Sequence, residues 1–241
     1  MQMLMSKMRA AIDKYKMIQD GDKIAVGVSG GKDSLAMLMA LNNMRVFYPK
    51  KFSIVAITVD MAFNNKQGDF SKIEKLCKDN DIEYVVKRTQ LYDVIFNQRK
   101  EKNPCSLCAK MRRGLLHDAA KEQGCNKIAL GHHLDDAVVT FYMNLLQCGT
   151  IGCFSPMSYL SRKDLTLIRP MVFAYEKQVV KVADKLALPV IKSDCPADGQ
   201  TQRKKVQDFV DALEKQNGYS AIYEKTLGAL QRAKIDGWGI E

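Results

Sequence analysis

Residues 23–34, Lys-Ile-Ala-Val-Gly-Val-Ser-Gly-Gly-Lys-Asp-Ser, set the strongest limit on what this chain can fold into. The first six are mostly apolar and read as a buried strand, and residues 33–42 read as a helix with a continuous apolar face. Between them lie two adjacent glycines, which let backbone amides turn inward without steric penalty. The start of the helix points its free N–H groups and the positive end of its dipole at the same spot, and that combination binds a phosphate. Lys32 adds a cation there, and Ser29 and Ser34 add hydroxyl donors. The loop is not a Walker A motif: Val26 stands where that pattern needs glycine, and Asp33 follows the lysine in place of Ser or Thr. Nor is it G-x-G-x-x-G, since Gly27, Gly30 and Gly31 are wrongly spaced. Asp33 beside a phosphate cradle is repulsive on its own, so it either caps the helix or helps hold Mg²⁺.

The strand–loop–helix rhythm recurs. Apolar segments at 52–59, 84–86 and 127–130 read as strands, and 71–78, 111–123 and 135–146 as helices. This alternation implies an α/β fold with a parallel sheet covered by helices on both faces. In such sheets ligands sit outside the carboxyl ends of the strands, so the loops after Val28, Val59 and Leu130 are the places to look. Residues 5–18 carry Met5, Met8, Ile12 and Tyr15 at helical spacing, ahead of the Gly21-Asp22 break. Beyond Gly149 the pattern loosens to a short strand at 165–168 and helices at 175–186, 206–215 and 221–233. The chain thus divides into an N-terminal helix (1–20), a nucleotide-type domain (21–190) and a helical C-terminal extension (191–241) expected to pack on the sheet.

The loop after the fourth strand reads Gly131-His132-His133-Leu134-Asp135-Asp136 and faces the same crevice as the glycine turn. Asp135 or Asp136 either caps the following helix or positions a Mg²⁺–pyrophosphate, and Gly131 lets the backbone approach a nucleotide. The two histidines are adjacent, whereas zinc on a helix wants an i, i+4 pair, so they are either polar surface or part of the crevice.

Seven cysteines without a secretory signal argue against a disulfide framework. Cys105-Ser106-Leu107-Cys108 is a C-x-x-C and reads as a zinc half-site, a redox pair or an iron–sulfur half-site. Cys77, Cys125 and Cys148 lie in or beside apolar helical stretches and are expected in the core. Cys195 sits in a polar loop within reach of the C-x-x-C. Three thiolates suit a 4Fe-4S cluster with one iron left open, beside the zinc and redox alternatives. An open iron next to an ATP site suggests sulfur insertion.

Charge points to the partner. The net charge is +10, which favours polyanions. Lys87, Arg88, Arg99, Lys100, Lys102, Lys110, Arg112 and Arg113 face only Asp93 and Glu101, leaving residues 87–113 at net +6 around the C-x-x-C. The stretch is either a solvated face or an RNA grip formed by Arg99, Lys100, Lys102, Lys110, Arg112 and Arg113. No apolar run reaches the roughly 18 residues of a membrane span, so the expected setting is cytoplasmic, with no membrane partner.

The hexapeptide from Ser29 to Ser34 resembles the SGGxDS loop of the N-type ATP pyrophosphatases. Two longer runs, at 105–114 and 124–136, with Ile168-Arg169-Pro170 and the Cys195 loop ending Gln202-Arg203, are similar to the TtcA-type tRNA 2-thiocytidine synthetases. That resemblance implies an adenine nucleotide alpha hydrolase-like (PP-loop, Rossmann-like) domain and an ATP- and Mg²⁺-dependent tRNA thiolase. It implies a 4Fe-4S cluster on Cys105, Cys108 and Cys195. It also implies ATP binding by Ser29, Gly30, Gly31, Lys32, Asp33 and Ser34, with Gly131 and the Thr58–Asp60 edge at the adenosine. Lys32, Asp33, Asp135 and Asp136 are the candidate catalytic residues. The family adenylates a cytidine oxygen of tRNA at position 32 and replaces it with sulfur, drawn from a donor such as a cysteine desulfurase persulfide, and has homodimeric members. Lysidine-type amine ligation, or thiolation of another base or a small molecule, are the alternatives. Asp198 stands where a further cysteine of the third-ligand loop falls in the family, and either ligates iron or leaves it open.

Overall fold

The computed structural model describes residues 1–99, 104–192, 195, 202–216 and 221–239. Six strands form one sheet: β1 (Asp22–Gly27), β2 (Phe52–Asp60), β3 (Glu83–Arg88), β4 (Lys127–Ala129), β5 (Met157–Leu160) and β6 (Leu165–Ile168). Their order is β3-β2-β1-β4-β6-β5, with every neighbouring pair parallel except β5–β6. β1 leads outward to β2 on one side and, later in the chain, β4 joins its other side. The strand order therefore reverses between β1 and β4, and sheets of this kind bind ligands at that point, outside the carboxyl ends.

Period-two alternation gives each strand a residue on each face. Ile24, Val26, Ile54 and Ala56 face one core, built with α1 (Gln2–Lys14), α2 (Lys32–Phe47), α3 (Ser71–Lys78) and α6 (Glu176–Lys185). Ala25, Val55, Ile57 and Ile128 face the other, covered by Leu116, Ala119 and Ala120 of α4 (Pro104–Glu122). α2 is buried from Ser34 to Asn42 because α1 and α6 flank it as well as the sheet.

The C-terminal helices α7 (Gln202–Lys215) and α8 (Ile222–Arg232) depart from the expectation that they pack on the sheet. Val206, Val210, Ile222 and Tyr223 instead meet Leu134, Val138 and Val139 of α5 (Leu134–Met143), because the sheet face beneath is already filled. Beyond α8, Trp238 is fully buried in the main core. Its indole N–H donates to the Phe154 carbonyl (2.8 Å), and the Tyr15 hydroxyl donates to its own carbonyl (3.0 Å), tying the chain's end to its beginning. Among the described residues, no helix is long and apolar enough to cross a membrane.

Candidate active site

The loop after β1 turns at Gly30, whose φ of +86° is the left-handed region that favours glycine. The Ser34 hydroxyl ties the turn together: it accepts from the Ser29 amide (3.2 Å) and donates to the Gly31 carbonyl (2.9 Å). α2 starts at Lys32, with Gly31 in extended conformation just before it, so the helix opens on the turn. Thr58 is buried one strand away. Its hydroxyl donates to the Val28 carbonyl (2.9 Å) and accepts from Tyr84 (2.9 Å), so it props the strand end beneath the loop.

Gly131 brings the β4 loop into direct contact with this turn. A Cβ there would lie 3.2 Å from the Asp33 carbonyl carbon and 3.2 Å from the Ser34 nitrogen. Two residues on, buried His133 is the N-cap of α5: its Nδ1 faces the Asp136 amide (3.4 Å), and its own amide donates to the Asp136 carboxylate (2.9 Å). The cap of α5 is thus the histidine, with Asp136 completing the box. His133 is not polar surface.

Four carboxylates stand around the two loops, and three have their oxygens occupied by protein. Asp136 also accepts from Arg203 of α7, and Asp135 accepts from the Glu176 amide at the start of α6 (2.8 Å). Glu176 itself pairs with Lys32 Nζ (2.8 Å). Asp33 differs. Its Oδ1 is shut off from solvent without a hydrogen bond and meets only the charges of Lys32 (3.3 Å) and His133 (3.8 Å). Burial pushes the Asp33 carboxyl above its ordinary range, and those two cations only partly offset it. Burial works against ionised Asp136 too, but the charges of His133 and Arg203 outweigh it and hold its carboxyl low. For His133, burial disfavours the cation, yet hydrogen bonding to Asp135 and the charges of Asp136, Asp135 and Asp33 raise its pKa. For Lys32, burial is again outweighed, here by Glu176 and Asp33.

An orphaned carboxylate oxygen beside a phosphate turn fits Mg²⁺, which is held through one or two carboxylates plus substrate phosphates. Asp33 is the residue poised to supply it. Asp60 is also placed differently from an open nucleotide contact. It is buried at the end of β2, accepts from the Ala62 (3.0 Å) and Gly68 (3.1 Å) amides, and pairs with Arg88 (2.6 Å). Its carboxylate shapes the loop after β2 from inside.

The third element is the chain that leaves α6. The Ile191 amide donates to the Gly30 carbonyl (2.9 Å), and Ile191 packs where a Gly30 side chain would go. Cys195 follows four residues later. Cys105 and Cys108 lie in the first turns of α4, which begins at Pro104, well before the helix start at 111 expected from periodicity. Helix N-termini favour thiolates. Cys108 feels the charge of Arg112, Cys195 and Cys105, while burial is the main influence lifting its thiol pKa. Charge on Cys105 and Cys195 thus reaches Cys108. Among the described residues no three His, Cys, Asp or Glu side chains converge on a single metal ion. An iron–sulfur cubane spreads its thiolates over different iron atoms, so it takes thiols set wider apart than a single metal ion does. Asp198 lies outside the described residues.

Of the remaining cysteines, Cys77, Cys125 and Cys153 are buried. Cys148 is exposed, contrary to expectation: α5 gives way to a π-helical turn at Asn144–Cys148 that carries Leu146 and Cys148 to the surface. Arg99, Lys110, Arg112 and Arg113 are exposed, as an RNA grip requires, and Lys100 and Lys102 lie outside the described residues. Lys87 pairs with Glu122 and Arg88 with Asp60, so these two cations leave the basic stretch. Sequence reasoning missed Glu176 as the partner of Lys32 and Arg203 as the partner of Asp136. Neither has a local signal, since each pair joins residues far apart in the chain.

A PP-loop domain model matches residues 3–210. Two relatives named tRNA-cytidine(32) 2-sulfurtransferase cover most of the chain. The protein from Citrifermentans bemidjiense is 35% identical over 86% of this chain and 82% of its own. That from Geobacter metallireducens is 36% identical over 91% and 85%. Among solved structures, the U34-tRNA thiolase NcsA from Methanococcus maripaludis with its [4Fe-4S] cluster superposes with a TM-score of 0.71 at 27% identity, covering 92% of this chain and 79% of that one. An NH3-dependent NAD synthetase from Campylobacter jejuni shares the fold, with a TM-score of 0.50 at 18% identity over 95% and 94%.

Proposed function

This chain belongs to the PP-loop family, alongside the tRNA-cytidine(32) 2-sulfurtransferases, and from that membership we propose that it is an ATP-dependent tRNA thiolase acting on cytidine 32. The observation that carries this reading is the strap from α6. It seats Ile191 on the Gly30 turn four residues before Cys195, and Cys108 feels the charge of both Cys195 and Cys105. On this reading the phosphate cradle and the three thiols serve one reaction.

The residues divide the work as follows. The Gly30–Gly31 turn and the start of α2 hold the ATP phosphates, and Lys32 exchanges Glu176 for phosphate oxygens when nucleotide arrives. Asp33 holds Mg²⁺, with His133 and Asp136 fixing the geometry around it. The cytidine C2 oxygen attacks the α phosphorus and pyrophosphate leaves. Lys32 and the loop amides stabilise the negative charge that grows on the phosphates. Adenylation turns a poor leaving group into AMP, which a sulfur nucleophile then displaces from the carbon. Cys105, Cys108 and Cys195 would hold a 4Fe-4S cluster, which supplies a site for that sulfur when bound. Arg99, Lys110, Arg112 and Arg113 grip the RNA backbone. Sulfide displaces the AMP; where a persulfide donates it, a thiol reductant supplies the two electrons that release the outer sulfur as sulfide. The working form is a homodimer, and the setting is the cytoplasm. An amine-ligating reaction of the lysidine type has no use for three grouped thiols.

The decisive assay incubates anaerobically reconstituted protein with ATP, Mg²⁺, sulfide and unmodified tRNA, followed by nucleoside mass spectrometry. 2-Thiocytidine, AMP and pyrophosphate are expected in equal amounts, and Lys32→Ala abolishes all three. AMP release without any thionucleoside would overturn the assignment.

A further inference from the structure

We propose that Arg169 forms a phosphate-binding site at the carboxyl edge of the sheet. Arg169 follows the last residue of β6, and the Leu130 amide donates to the Ile168 carbonyl (3.0 Å). It therefore stands level with Gly131 and His132, at the carboxyl edge where the nucleotide turn lies.

Its surroundings fix the guanidinium without neutralising it. Nε donates to His132 Nδ1 (3.1 Å), Nη1 donates to the Ser155 carbonyl, and the Phe154 ring lies beneath, 4.8 Å from the guanidinium carbon. Each of these partners is uncharged. His132 is so because burial, helped by the charge of Arg169, drops its pKa to about 4. None of the ion pairs among the described residues includes Arg169, and its Nη2 has no partner among them. Burial and the nearby charge of Arg113 pull its own pKa to about 10, with Cys153 opposing, so it stays cationic at neutral pH.

A half-buried cation held only by neutral partners is an unfavourable arrangement unless an anion completes it. The planar fork of arginine matches phosphate oxygens, and a fork already oriented by three contacts loses little freedom on binding. Two sources can supply that anion: a phosphodiester of the RNA or a phosphate of the nucleotide. The RNA source rests on the function proposed above, whereas the anion site does not.

The test uses full-length protein and Arg169→Gln. Inorganic phosphate, compared with chloride at equal ionic strength, should raise the melting temperature of the wild type and not of the variant. In titrations across a salt series, loss of an RNA phosphate contact weakens tRNA binding about tenfold and flattens the salt slope by about 1, with ATP affinity unchanged. A tenfold loss of ATP affinity with tRNA binding intact assigns the anion to the nucleotide. If binding of phosphate, tRNA and ATP all match the wild type, the site is refuted. Should Arg169→Gln fail to fold, Arg169→Lys, which keeps the charge and loses the planar fork, must show a loss in the same arm, and its absence refutes the site equally. A wild type that binds inorganic phosphate through Arg169 but neither binds nor thiolates tRNA refutes the thiolase reading and leaves this site standing.

Discussion

Gly131 and Ser34 touch backbone to backbone: a methyl group on Gly131 would sit 3.2 Å from the Ser34 nitrogen and 3.3 Å from its Cα. Neither atom can step aside, because Ser34 is in the first turn of buried α2 and its hydroxyl closes the phosphate turn. The contact fixes the β4 loop relative to the nucleotide cradle.

Gly131→Ala should therefore cost about 1–3 kcal/mol of stability through overpacking. A shift of the catalytic loops should cost more in rate, about 100-fold in pyrophosphate release. Denaturant melts and a pyrophosphate assay on one preparation separate the two. Equal activity in a stably folded variant would show that the two loops need not touch.

Lys32 Nζ pairs with Glu176 at 2.8 Å. Both side chains are partly exposed, so the pair contributes no more than about 1 kcal/mol. Glu176→Gln should free the lysine and tighten ATP binding by up to about fivefold, measurable by calorimetry. Weaker binding would mean that Glu176 belongs to the bound state.

His133 gains a pH dependence from its acidic neighbours. Its pKa is raised in the fold, so its stabilising contribution is complete below the unfolded value of about 6.5 and is lost as pH rises through the folded value. Melting temperature of the metal-free protein should fall over that window on the alkaline side of 6.5. His133→Asn keeps an N-cap acceptor and removes the titration, so its profile should be flatter there.

Serine at Cys105, Cys108 or Cys195 should each abolish the brown absorbance of anaerobically reconstituted protein. Cys148→Ser should leave it intact, although Cys148 is also exposed. Loss of colour at Cys148, or its retention at Cys195, would redraw the ligand set.

The sequence displayed what is local. The apolar strand, the glycine turn and the helix after it are contiguous, so the nucleotide corner was readable to within a residue of the observed start of α2. The Gly131 loop was legible for the same reason. β5 was not, because Met157–Leu160 alternates weakly and is defined only by its pairing with β6. The start of α4 was also hidden: Pro104 suits a first helical turn, but the polar cysteine turn masks the apolar period until Met111. Within the site, Thr58 and Asp60 were found as positions, while their inward hydrogen bonding depends on β1, β3 and the Gly68 loop. Glu176, Arg169 and Arg203 acquire their meaning only from strands and helices distant in sequence.

Ile191 is anchored to the glycine turn, and Cys195 lies four positions further along the chain. A stretch of that length spans at most about 14 Å. Its thiol is therefore on a short leash, and whatever Cys195 binds must lie close to the glycine turn.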